Sequence, residues 1–112
     1  MTAGKQSTLW FEELDFASLI GYKLVVEKDG ELVGEAQYID KDDAADGYDE
    51  VAGEMELRLS TITALGDDAQ GVYDFKIYST NNNGISEIPL LIEGIEIDFL
   101  LPMAPRSGGI RY

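Results

Sequence analysis

The sequence predicts an all-β fold, a Greek-key β-sandwich of short strands with an extra extended arm at its C-terminus. Three observations predict it. Apolar and polar residues alternate with a period of two in several runs, so each run presents one set of side chains to one sheet face. Asp29-Gly30 and Asn83-Gly84 are hairpin signals, because these residue types tolerate positive φ. The run Tyr73-Asp74-Phe75-Lys76-Ile77 places a Tyr at a strand entry. There it can bury its ring and return its hydroxyl to nearby backbone, the tyrosine corner of Greek-key sandwiches.

The elements follow in chain order. Residues 1–8 are small and polar and read as a flexible arm, and residues 9–92 as the sandwich. Leu9, Trp10 and Phe11 form an apolar cluster suited to an early strand, and residues 12–18 read as a loop or short turn. Gly21 opens a strand in which Tyr22, Leu24 and Val26 alternate with Lys23, Val25 and Glu27. The Asp29-Gly30 turn returns it as residues 31–39, where Gly34 signals a bulge or twist. Residues 40–50 carry six acids and one Lys and read as a loop. Met55, Leu57 and Leu59 alternate with Glu56 and Arg58, a strand expected to continue through the β-favouring Thr61, Ile62 and Thr63. Gly66-Asp67-Asp68 breaks it, and the next strand spans Val72 to Thr80. Ile85 to Ile92 follows, with Pro89 arguing for an edge position or a strand switch. Residues 93–112 form the arm: Ile95, Ile97, Phe99 and Leu101 alternate with polar residues and Leu100, Pro102 and Pro105 stop the run, and a basic end closes it.

Composition narrows the function classes. A chain of 112 residues makes one domain. Its formal charge of −14, from 22 acids and 8 bases, repels nucleic acid phosphates and anionic lipid. It suits solubility, basic partners or cations, and a solvated surface is the favoured reading. There is no Cys, which removes disulfides and thiol chemistry, and no His, which removes the usual general base and transition-metal ligand. The start Met1-Thr2-Ala3-Gly4-Lys5 has no apolar signal region, and the run Ile88 to Ile92 is too short to span a bilayer. The expectation is a complete, cytoplasmically made protein.

The segment from Trp10 to Ile92 resembles a fibronectin type III domain of the immunoglobulin-like superfamily. The resemblance rests on Trp10 as the early core Trp, the run Gly21-Tyr22-Lys23-Leu24-Val25-Val26, Leu65 before the corner, the strand with Tyr73, Phe75 and Ile77, and the closing Asn81, Gly84 and Ser86. It departs from the family in the long, Pro-free connection from Leu65 to Tyr73, the acidic residues 40–50 and the tail after Ile92. The resemblance implies Trp10, Tyr22, Leu65, Tyr73, Phe75 and Ile77 as structural core. It also implies interaction or spacing rather than catalysis, by analogy of fold.

The remaining motifs each have a plain alternative. Asp42, Asp46 and Asp49 are the candidates for a Ca²⁺ site, since hard cations take several oxygens from one segment. The segment departs from the helix–loop–helix Ca²⁺ pattern at Ala44 and Gly53, and a solvated loop is the favoured reading. Carboxylate pairs abound, but no cleft pattern singles one out for acid–base work. Tyr38, Tyr48, Tyr78 and Tyr112 are surface contact candidates, because Tyr gives large area at low entropy cost. The turn at 81–84 suffices as a hairpin.

The partner-binding candidates are Ile95, Ile97, Phe99, Leu101, Arg106, Arg111 and Tyr112. Residues 95–101 are too apolar for a solvated tail. They either fold back as an extra strand or add to a neighbour's sheet edge. The expected function is therefore a non-enzymatic structural or interaction module without cofactor. Its expected partners are protein neighbours, itself included, and neither nucleic acid nor membrane. A virion or phage component, such as a capsid decoration, tail or baseplate protein, is the first expectation. A binding or adhesion module of a bacterial surface or secreted protein, with or without Ca²⁺, is the rival.

Overall fold

Period-two alternation governs what forms. The computed structural model describes residues 2–12, 18–40, 48–51, 54–100 and 110. Tyr22, Leu24 and Val26 face inward on β2 (Gly21–Lys28), which turns at Asp29-Gly30 into β3 (Glu31–Asp40). Both turn residues have positive φ, the twist that a two-residue hairpin requires. Gly34, also at positive φ, sits in a register shift between the two strands, where the sequence signals a bulge. Gly21 has a different reason to be glycine, since a Cβ there would run into the Ile39 carbonyl oxygen of β3.

β6 (Gln70–Asn81) is the central strand. It pairs antiparallel with β2 on one side, and with β7 (Gly84–Ile85) and β8 (Leu90–Asp98) on the other. β7 and β8 lie along the same flank of β6, interrupted at residues 86–89, so Pro89 immediately precedes an edge strand. The second sheet is smaller, with β5 (Glu54–Arg58) between β1 (Thr8–Glu12) and β4 (Tyr48–Val51). Every strand pairing among the described residues is antiparallel, apart from a single parallel bridge between Ala3 and Ile97. The sheets share one apolar core, in which Phe11 of β1 meets Tyr22 of β2 edge to face at 4.9 Å. The architecture is all-β and antiparallel, consistent with a β-sandwich.

Several expectations change. Trp10 is not core. Leu9 and Phe11 point inward, so period two turns Trp10 outward opposite Glu56, and it is 55 % exposed. Tyr22, Leu65, Tyr73, Phe75 and Ile77 are buried as expected. The strand expected through Thr63 ends at Arg58 and gives way to 3₁₀ turns at Leu59–Thr61 and Thr63–Leu65, with Thr61 Oγ1 donating to the Arg58 carbonyl at 2.7 Å. Residues 48–51 of the expected acidic loop are strand, because they pair with β5. Residues 13–17 and 41–47, read as loop, lie outside the described residues.

Both expected arms are tied down over residues 3–7 and 93–99. The Ala3 N–H donates to the Glu96 carbonyl at 2.8 Å, and Asp98 N–H donates back to the Ala3 carbonyl at 3.0 Å. The Ser7 carbonyl accepts from Leu59 N–H at 2.8 Å, so residues 2–8 bridge the two sheets. β8 runs through the boundary expected at 92/93, and Ile97 at 1 % exposure and Phe99 are buried in this chain's own core. The tail to Phe99 therefore folds in cis.

The Gln70 carbonyl accepts two donors: the Tyr73 hydroxyl at 3.3 Å and the Lys28 ammonium at 2.7 Å. Lys28 Nζ also lies 5.3 Å from the centroid of the Tyr73 ring, a cation–π arrangement. On the outer face Lys76 and Glu27 pair at 2.9 Å, and the Glu27 hydrogen bond and charge raise the Lys76 ammonium above its ordinary 10.5. That stabilisation is present at neutral pH and is lost only as pH rises through the raised value.

Ile97→Ala should destabilise the protein by about 2–5 kcal/mol, as removal of a buried branched side chain does. Urea unfolding measures this, and a loss below about 1 kcal/mol would place Ile97 outside the working core. Tyr73→Phe should cost about 0.5–1.5 kcal/mol, since the Gln70 carbonyl keeps Lys28 as a partner. A neutral result removes the corner assignment.

Candidate functional site

The inward face of β8 is covered only at one end. Its inward residues are Leu90, Ile92, Ile95 and Ile97, opposite Ile77, Phe75, Tyr73 and Gly71 of β6. Ile92 and Ile95 are three residues apart yet share a face. A register shift between them, with Gly94 at positive φ and its N–H bonded to Asp74 Oδ1 at 2.9 Å, absorbs the odd residue. Cover increases along the strand. Leu90 is 49 % exposed, Ile92 and Ile95 are partly buried, and Ile97 lies beneath the bridge to Ala3.

The uncovered part is a groove of about 680 Å³. Tyr22, Phe75 and Ile77 form its floor, and Ile88, Leu90, Ile92 and Ile95 its far wall. β1 forms the near wall along its whole length, from Thr8 to Glu12. Ala3, Ser7 and Leu59 also line it, as do Ser79 and Ser86, whose main chains are bonded by Ser86 N–H to the Ser79 carbonyl at 2.9 Å. Glu12 is the only charged side chain among the described lining residues. The volume is in the range of ligand pockets, roughly 300–1,000 Å³, but the shape is an open trough along two strands. Full burial of a Leu or Ile is worth about 1.5–3 kcal/mol, so covering Ile88, Leu90 and Ile92 would yield roughly 3 kcal/mol.

Chemically the groove offers apolar contact and strand main chain rather than an array of acids and bases. Among the described residues no group of three or more Asp or Glu stands close enough to hold a metal ion. Asp42 and Asp46 lie outside the described residues, and Asp49 stands on β4 opposite Glu56, its side chain likewise outside them. Of the partner-binding candidates, Ile97 and Phe99 are enclosed and Ile95 is partly buried against the core, while Leu101, Arg106, Arg111 and Tyr112 lie outside the described residues. Tyr38 is exposed, as a contact residue needs to be. Sequence reading missed the groove itself. Its one signal was Ile88, Leu90 and Ile92 beside Pro89, more apolar surface than an edge strand needs. Among the described residues no helix is long and apolar enough to cross a membrane. Comparison with known proteins returns no matching family model, no similar curated protein and no similar solved structure.

Leu90→Gln with Ile92→Gln should leave the fold intact, as neither side chain is fully buried, and weaken uptake of the neutral apolar dye Nile red about tenfold, or ~1.4 kcal/mol. Leu91→Gln, on the opposite face of β8, should leave dye uptake unchanged. A titration followed by dye fluorescence compares the three, and equal uptake would mean that the groove is not the apolar site.

Proposed function

We propose that this protein is a non-enzymatic interaction module that works as one part of a larger assembly. The observation that carries this reading is the apolar groove beside the edge of β1 that no described strand pairs, in an otherwise acidic protein. An exposed contiguous apolar surface rimmed by polar residues is the mark of an interaction site. The sandwich itself we read as fibronectin-type-III-like, on the buried Tyr73 that donates to the Gln70 carbonyl and on the sheets that share one core. Within that reading the setting is a virion or phage particle, with the groove toward a neighbour and the rest of the acidic sandwich toward solvent.

The test is incorporation. Particles purified from cells that encode the chain should carry the wild-type protein, while the Leu90→Gln, Ile92→Gln variant should stay in the particle-free fraction, folded by circular dichroism. Wild-type protein absent from the particles would end the virion reading. Incorporation of both forms would move the attachment site away from the groove.

A further inference from the structure

We propose that the open side of β1 receives a strand from a different, basic protein. The added segment is extended, with apolar residues at alternate positions that enter the groove against Leu90, Ile92 and Ile95 and with Lys or Arg between them. This rests on the reading of the protein as an interaction module and names the partner that the groove takes.

Three observations converge. First, β5 is the only described strand that pairs with β1, so on its other side the main chain of β1 meets the groove. Inward Leu9 and Phe11 and outward Thr8, Trp10 and Glu12 all line the same groove, as happens only when a cavity lies along the strand's edge. An unpaired row of N–H and C=O groups is a template for a further strand, which bonds through main chain and reads sequence through alternate side chains.

Second, the lengths agree. β1 is five residues long, and the apolar wall runs from exposed Ile88 to partly buried Ile95. A segment of about seven residues, at about 3.3 Å each, spans both. Ala3, bridged to Ile97, closes off the run beyond Ile95.

Third, charge selects the occupant. The chain carries −14, the described lining holds Glu12 and no base, and Glu87 lies between the lining residues Ser86 and Ile88. A second copy brings the same excess of acids and is repelled, whereas a cationic segment is attracted and steered.

The experiment uses the full chain and three synthetic heptapeptides at physiological ionic strength. One alternates Lys with Val, one holds the same residues with the Val residues adjacent, and one alternates Glu with Val. The sole tryptophan, Trp10, stands on β1 beside the groove and reports occupancy by its emission. The alternating Lys–Val peptide should shift that emission to the blue and bind at least tenfold more tightly than the other two. Leu90→Gln with Ile92→Gln should lose about tenfold in affinity, and Leu91→Gln should lose none. Equal binding of the two Lys–Val isomers would reduce the effect to charge attraction and overturn the strand-addition proposal. So would tighter binding of the Glu–Val peptide, or a dimer detected by light scattering that the groove variant abolishes, since the occupant would then be a second copy. A failure here, with groove-dependent incorporation into particles intact, refutes this partner alone. A failure of incorporation with groove-dependent peptide binding intact ends the virion setting alone, and failure of both refutes the interaction-module reading.

Discussion

A sheet three strands wide cannot cover the inner face of one that is four strands wide. The larger sheet runs β3-β2-β6, with β7 and β8 sharing the last position, and the smaller runs β1-β5-β4. At about 4.8 Å per strand the mismatch is one strand's width. The described contacts between the two layers gather on the β2 and β3 side. Phe11 of β1 reaches Tyr22 of β2, and the 3₁₀ turns that follow β5 lie against β3, with the Gln37 side chain accepting from Thr63 N–H at 3.1 Å and donating to the Thr61 carbonyl at 3.3 Å. The deficit shows on β8, where Leu90 is half-exposed. The groove and the exposure of Leu90 follow from this difference in width, and β1, at the end of the smaller sheet, borders the groove.

The protein closes one end of the gap with its own chain. Residues 2–7 lie across it: Ala3 bonds to β8 through Glu96 and Asp98, while Lys5 and Ser7 accept from the turn after β5. Ile97 and Phe99 are buried at this end, whereas Ile88 at the other is 84 % exposed. The same constraint that makes the groove thus sets its length. It also explains why the C-terminal run to Phe99 belongs to the core: without it the floor beside Tyr73 would lose its flank.

Much of the larger sheet was legible in the sequence because its signals are local. Asp29-Gly30 determined a hairpin, Gly34 a bulge, and Tyr73, Phe75 and Ile77 an inward stripe. The misreadings differ in cause. Trp10 sits between two apolar residues, and a resemblance-based core role prevailed over the alternation that sends it outward. Thr61 and Ile62 favour strands, but Ile62 is buried between two tight turns, and burial overrode propensity. Whether the run from Ile95 to Phe99 folds in cis or in trans is not written in its pattern, since either strand needs the same alternation. The groove was illegible for a further reason: it arises from the difference in width between the sheets, which no single segment encodes.

An open edge beside apolar surface is a hazard for any β protein, because identical edges can pair without limit. Here the acids answer that hazard. Glu12 ends the exposed strand, and the excess of acids over the whole chain raises the cost of bringing two copies together at close range. The same charges cost nothing against a cationic segment and speed its approach. The composition that first reads as bland solvation therefore acts with the widths of the sheets. The difference in width leaves an apolar groove, and under the proposed strand addition the charge favours a cationic segment there over a second copy.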